Sequence, residues 1–309
     1  VYAFSSGRTK KLTEFSSDEK ESENMEITDM FVDNQYVYFS RLPIAESNAL
    51  GLIRGKSRRT TYRLHPSDGV EIIHAVRDRQ VVNVRNGFIY SVQLKSLYVT
   101  NIVNNSTRVL FSVSKGTIKD FTFRPGYEND VVFVNDRGTH AFLGLFSDGL
   151  DTIQWICPSA DSASQPAFSS DGKYLAWLST YPSHEDVTAF SASDGNQGNK
   201  GPLFQIHLGE LTKKNEFIYL GEKYRDERVG LASFGYGNRP LVVLKDGTIL
   251  FGVEETGWLQ ITSFSDDDDN NNNNHLVRQR SNSKCEERNW IYDDRDEELY
   301  VSSNCDNLD

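Results

Sequence analysis

One kind of segment recurs along this chain and limits what it can become: a short, bulky, largely apolar run entered through a turn residue or an acidic pair. The copies are NQYVYFS (34–40), NGFIYSV (86–92), NDVVFVN (129–135), GKYLAWLS (172–179), GTILFGV (247–253) and EELYVSS (297–303). β-branched and aromatic residues fit a pleated, half-buried surface, so each run reads as a strand. Three are entered through SSDGKYLAW, LKDGTILF and DDRDEELYV. Asp-Gly supplies the positive φ angles that a tight hairpin needs, which predicts hairpin turns at Asp171-Gly172 and Asp246-Gly247.

After most of these runs comes a second strand pair, as in 96–111, 140–156 and 203–220, where alternating residues suggest one buried face. Each unit therefore reads as four antiparallel strands. The runs lie about 43 to 75 residues apart, close to the ~40 to 50 of propeller blades once an inserted loop is allowed for. Four-stranded sheets repeated radially leave only short protected edges, so the expected fold class is all-β, a β-propeller of four-stranded antiparallel blades. A sandwich is the simpler alternative. The blades are placed at 1–15 (partial), 25–65, 75–112, 118–157, 164–221, 235–281 and 288–309 (partial), in a single domain. That makes about five full blades and two half-blades, the first resembling an outer strand pair and the last an inner pair, and both ends read as cuts. Two inserted loops are expected: 181–200, rich in Gly, Ser and Asn, and 265–275, which holds DDDDNNNNN. The latter lacks the alternating ligands, central Gly and terminal Glu of a calcium loop.

The net charge of −11 makes nucleic acid an unfavourable partner and keeps the surface solvated. Cys157, Cys285 and Cys305 are too few for a disulfide framework and have no metal-ligand spacing. Cys285 and Cys305 could pair. No apolar stretch approaches the ~20 residues of a membrane-crossing helix, and the first residues do not read as a signal peptide. The expectation is no metal, no cofactor and no membrane segment in this chain, with the compartment left open.

Three strings, SQPAFSSDGKYLAWLS (164–179), LKDGTILFGVEETGWLQI (244–261) and LYVSSNCDNLD (299–309), resemble consecutive blade motifs in the propeller of dipeptidyl-peptidase IV-like serine peptidases, of the prolyl oligopeptidase family. The resemblance runs from about residue 120 to 309. It implies a ring of about eight blades that covers the active site of an α/β-hydrolase domain beyond residue 309. Such a propeller is non-catalytic and gates peptide substrates by size; the resemblance also allows a homodimer through the full-length protein. The rival reading is a TolB-like or WD-repeat-like propeller that only binds protein partners.

A serine peptidase of this type needs G-x-S-x-G, and none occurs; GLASFG (230–235) has the wrong spacing, so no catalytic residue is assigned. His65, His74, His140, His184, His207 and His275 are scattered without metal-ligand spacing. Glu254 and Glu255 are adjacent strand residues facing opposite ways, so with Gly257 and Trp258 they are assigned to the blade framework, as are Asp171, Gly172, Asp246 and Gly247. Trp258 is expected to pack against a neighbouring blade. YRDER (224–228) reads as a charged excursion between blades, which makes Arg225, Asp226 and Glu227 the candidates for holding substrate. The basic run RGKSRRTTYR (54–63) reads as a solvated outer face. Overlapping glycosylation sequons occupy Asn104 to Thr107 on a predicted hairpin turn.

Overall fold

The computed structural model describes residues 2–5, 8–11, 25–43, 59–65, 69–138, 140–148, 152–156, 162–180, 204–226, 241–255, 258–265, 276–279, 286–293 and 295–304. The chain forms two compact units, Val1–Ile118 and Lys119–Asp309.

In the first unit, β1 (Tyr2–Ser5) and β2 (Arg8–Lys11) form a two-stranded sheet. β3 (Met25–Asp33), β4 (Tyr36–Pro43), β5 (Thr60–His65) and β6 (Gly69–Ile72) form a four-stranded antiparallel sheet in chain order. A 3-10 turn at His74–Val76 leads to the next sheet, made of β7 (Gln80–Arg85), β8 (Phe88–Gln93), β9 (Ser96–Asn101) and β10 (Thr107–Ser112). Tyr38 of the first of these four-stranded sheets shares a buried cluster with Val81, Val84 and Ile89 of the second.

The second unit continues the pattern. β11 (Thr117–Phe123), which begins at the unit boundary, pairs in order with β12 (Val131–Asp136), β13 (Ala141–Phe146) and β14 (Gln154–Trp155). Then come β15 (Ser162–Phe168), β16 (Tyr174–Thr180), β17 (Phe204–Leu211) and β18 (Phe217–Asp226), followed by β19 (Leu241–Val243), β20 (Ile249–Glu255), β21 (Trp258–Ser265) and β22 (Leu276–Gln279). β23 (Glu286–Asp293) and β24 (Glu298–Asn304) close the list as a pair. Every recurrent bulky run is the second strand of its sheet.

The reason those runs are apolar throughout lies in their two buried faces. On β16, Leu175 and Trp177 enter a cluster with Val132, Val134, Leu143 and Leu145 of the preceding sheet, whereas Ala176 and Leu178 enter one with Leu241, Ile249 and Phe251 of the following sheet. β20 repeats this: Ile249, Phe251 and Val253 face back, and Leu250 faces on to Tyr292 and Leu299. Successive strand residues point to opposite faces, so a strand covered on both sides must be apolar at every position. Each burial of a Leu, Val or Phe side chain contributes about 1.5 to 3 kcal/mol. Serial covering by the sheets before and after is the packing of propeller blades; a sandwich joins only two sheets through one core. The fold is an all-β propeller of four-stranded blades, five of them complete and flanked by two-stranded half-blades among the described residues.

The first strand of a blade is less regular than the second. Pairing slips between Thr28 and Phe31 on β3, between Val81 and Asn83 on β7 and between Ser164 and Ala167 on β15. Asp29 (φ 54°) and Gln165 (φ 52°) occupy two of these bulges, and Asp120 (φ 46°) occupies the corresponding part of β11. Left-handed backbone costs an L-residue about 1 to 2 kcal/mol, and Asp is one of the few side chains with a Cβ that visit it routinely.

Candidate functional site

Two contacts carry the end of a blade's first strand to a turn of the next blade. In the first unit the Asp33 carboxylate, at the end of β3, accepts hydrogen bonds from the backbone N–H groups of Asn86 (3.1 Å) and Gly87 (2.9 Å). Those residues form the β7–β8 turn, with φ of 53° and 77°. Both central residues at positive φ give the turn that matches strand twist, and its N–H groups face outward to the carboxylate.

The second unit solves the same problem with the opposite charge. Arg124 follows directly on β11 and is 2% exposed. Its Nε donates to the carbonyl of Gly172 in the β15–β16 turn (2.8 Å), Nη2 donates to the carbonyls of Leu211 and Thr212 (each 3.0 Å), and Nη1 donates to Asn215 Oδ1. Asp130 Oδ2 lies 3.5 Å from Nη1, and the Tyr127 ring lies 3.9 Å from the guanidinium carbon. A planar fork of five donors fits several fixed carbonyls at once, which an ammonium cannot do. Asn215, itself at φ 61°, donates onward to Ser147 Oγ (2.6 Å).

The Asp171-Gly172 turn is shaped for this contact. Asp171 Oδ1 accepts from Ser169 Oγ (2.6 Å) and from the Lys173 N–H (3.1 Å), and Gly172 has φ of 70°. A Cβ on Gly172 would stand 2.8 Å from the carbonyl oxygen of Pro125 and 3.0 Å from Arg124 Cγ. The Asp246-Gly247 turn is built alike, with Asp246 Oδ1 accepting from the Thr248 N–H (2.8 Å) and Gly247 at φ 89°. Tyr174 approaches it, at 3.6 Å from the Cβ position.

A chain of side chains crosses β16, β17 and β18. The Ser179 hydroxyl donates to Gln205 Oε1 (3.1 Å), so the 2.8 Å contact between Ser179 Oγ and His207 Nε2 has the imidazole as donor. Nδ1 then accepts from the Tyr219 hydroxyl (2.7 Å), and Gln205 Nε2 donates to Glu222 Oε2 (2.8 Å). Trp177 stacks on the His207 ring, 5.2 Å between centroids and 14° between planes. A Ser–His contact of this length is the reach of a nucleophile and its base, but Ser179 is 1% exposed, its proton goes to a glutamine, and a phenol stands where a triad carries a carboxylate. The chain orders the sheet. Sequence reading missed it because Ser179 and His207 meet only through the β16–β17 register, Ser179 opposite Gln205 and Trp177 opposite His207.

The basic run contains a correction. Arg59 is not on a solvated face: it is 6% exposed and forms an ion pair with the buried Asp29 carboxylate. Burial raises the Asp29 carboxyl above its ordinary value, and the Arg59 charge with the Thr28 hydrogen bond opposes that rise. Arg63 reaches Glu71 and lies 4.8 Å from the Tyr36 ring. The charged excursion is a second correction: Tyr224, Arg225 and Asp226 are strand residues of β18, paired with Ile206, Gln205 and Phe204. β18 continues through them because β17 offers a partner for each. Glu227 lies outside the described residues. Glu254 and Glu255 are at the end of β20, opposite Leu259 and Trp258. The side chains of Arg225, Asp226, Glu254, Glu255 and Trp258 lie outside the described residues, as do Gly257, the three cysteines, the loop 181–200 and residues 266–275 of the second loop, whose first residue, Ser265, ends β21. Among the described residues no group of three or more His, Cys, Asp or Glu is arranged to hold a metal ion.

No family model matches the chain, and no curated protein matches it. Solved structures do. The chain is similar to a puromycin hydrolase mutant complexed with PGG, at a TM-score of 0.54 and 13% identity over 85% of this chain and 40% of that one. It is also similar to a puromycin-hydrolyzing peptidase of Mycobacterium tuberculosis (TM-score 0.46, 11% identity, 89% of this chain and 49% of that one). A third is an oligogalacturonate lyase in complex with manganese (TM-score 0.49, 9% identity, 75% of this chain and 63% of that one). At such identity the first likeness speaks for the fold alone. This chain spans about two fifths of the hydrolase chain's length.

Proposed function

We propose that this chain is the non-catalytic propeller of a serine-type dipeptidyl peptidase, gating and orienting peptides for an α/β-hydrolase domain encoded beyond residue 309. The observation that carries the reading is the likeness to puromycin hydrolase, which takes in 85% of this chain but 40% of that enzyme. Two features of the chain agree with it. The sequence has no G-x-S-x-G, and the hydroxyl of the buried Ser179 donates to Gln205 Oε1 and not to His207. The contribution of such a domain is a stiff frame. Asp33 and Arg124 tie blades to one another through backbone groups, which stiffens each unit. Within this reading Arg225, Asp226 and Glu227 contact the substrate; alanine at any of them then raises KM of the complete enzyme and leaves kcat unchanged.

The test is the coding sequence downstream of residue 309 together with an assay. A nucleophile elbow followed by Asp and His supports the proposal, and its absence leaves the protein-binding scaffold as the better reading. The purified 309-residue chain should show no turnover of Xaa-Pro or Xaa-Ala reporters, because positioning groups alone form no acyl-enzyme. Turnover that copurifies with the chain and disappears on Ser179→Ala or Ser233→Ala would overturn the non-catalytic assignment.

A further inference from the structure

The hairpin between β9 and β10 carries the sequence Asn104-Asn105-Ser106-Thr107, two overlapping Asn-x-Ser/Thr sequons. The structure places it at an exposed tip. Asn104, Asn105, Ser106 and Thr107 are all exposed, and the neighbouring Val103 is 90% exposed. The turn is held by its own side chains: Asn101 Oδ1 accepts from the Val103 N–H (2.8 Å) and the Asn104 N–H (3.3 Å), and the Asn101 N–H donates to the Ser106 carbonyl (2.9 Å). Asn104 Oδ1 accepts from both the N–H (2.9 Å) and the hydroxyl (2.6 Å) of Ser106. The carboxamide of Asn104 is therefore built into the turn. Asn105 contributes backbone instead, at φ 54°, and is exposed at the tip.

We infer that this tip is an N-glycosylation site, with the oligosaccharide on Asn105. In the transfer, Asn105 Nδ2 forms a bond to the anomeric carbon of an oligosaccharide carried on a lipid pyrophosphate. The anomeric C–O bond breaks, the lipid pyrophosphate leaves with the electron pair, and Nδ2 gives up one proton; nothing is oxidised or reduced. One glycan is accommodated and not two, because adjacent residues of a tight turn cannot both carry a bulky group. Asn105 is the better of the two: its loss from the turn's hydrogen bonding costs nothing, and the hydroxyl two residues on is that of Thr107, set in place 2.9 Å from Thr100 Oγ1. The location also gives the glycan a use. β10 is the outermost strand of its sheet, and it exposes Thr107, Arg108 and Val109, the last by 49%. An open edge with exposed apolar residues invites pairing with another chain, and a hydrated oligosaccharide beside Val103 and Thr107 obstructs that approach.

The inference stands independently of the peptidase reading, and its test does not use activity. Trypsin cuts after Lys95 and Arg108, so the tip is isolated as peptide 96–108. Mass spectrometry of this peptide from the protein taken from its natural cells should find it glycosylated, and peptide-N-glycosidase should leave Asp at position 105 and Asn at 104. An unmodified peptide as the sole species, or Asp at 104, overturns the assignment. A second arm expresses the chain behind a secretory signal. Ser106→Ala destroys only the Asn104 sequon and should retain the glycan, whereas Thr107→Ala destroys only the Asn105 sequon and should lose it from Asn105. The reverse pattern refutes the choice of Asn105.

Discussion

Asp33 and Arg124 occupy matching places at the ends of β3 and β11, and the same offset along the chain relates Asp29 to Asp120, both at positive φ just before them. Each reaches the turn between the first two strands of the following blade. Asp33 finds outward N–H groups at Asn86 and Gly87, and Arg124 finds the carbonyl of Gly172. The position is fixed by the architecture, while the charge is fixed by which backbone groups the turn presents. The two differ in depth as well. Arg124 is buried under four acceptors and a ring, and Asp33 is only half-buried. An arginine whose partners are carbonyls cannot be replaced together with them, since the backbone cannot be mutated.

That difference predicts a ranking of effects. Arg124→Ala strands several carbonyls and the Asp130 carboxylate, and should cost about 3 to 5 kcal/mol. All four tryptophans, Trp155, Trp177, Trp258 and Trp290, lie in the second unit, so urea denaturation followed by Trp fluorescence reads this loss. Arg124→Lys should recover less than half, and full recovery would show that charge rather than the fork holds the turn.

Gly172→Ala comes next. It combines positive φ with a Cβ 2.8 Å from a backbone oxygen, at about 2 to 4 kcal/mol. Gly87→Ala is the matched control in the first unit: φ is 77° and, among the described residues, nothing lies within 4 Å of its Cβ position, so the backbone strain of about 1 to 2 kcal/mol remains. Equal losses at the two glycines would break the comparison. Asp33→Ala should cost about 1 kcal/mol, because water reaches the released N–H groups, and Asp33→Asn about half of that. Far-UV circular dichroism, which reads the strands of both units, follows these first-unit variants, where no tryptophan reports.

The smallest effect is a slope. Desolvation raises the Asp29 carboxyl above 3.8 with Arg59 opposing, so the folded state favours the protonated acid. The stability this contributes is complete below 3.8 and is lost as pH rises through the folded value. Wild type should therefore lose more stability than Asp29→Asn as pH increases from 3.8, in a series of urea transitions read by circular dichroism. A steeper slope in the variant would mean that the ion pair outweighs burial.

The second strand of each blade was legible because its cause is local. Leu175 to Leu178 are apolar at every position whichever neighbour covers each face, and Asp-Gly before such a run specifies a turn with positive φ. The candidate sites were less legible. YRDER looked like an excursion because its charges break the apolar pattern, yet β17 supplies pairing that carries β18 through Asp226. Arg59 looked solvated because its run is basic, and nothing near it in sequence announces a carboxylate 30 residues earlier.

What the sequence by itself determined is the blade: strand length, turn chemistry and the absence of a nucleophile elbow all follow from residues within a few positions of one another. The tertiary structure alone decided what joins one blade to the next. Arg124 gains its meaning from Gly172 and Leu211, 48 and 87 positions away, and from a turn whose carbonyl points at it. A guanidinium in a sequence carries no record of whether it will meet water, a carboxylate or a ring of carbonyls. That depends on which loops the packed sheets bring to the same place, and it is settled only when both faces of each sheet have been covered.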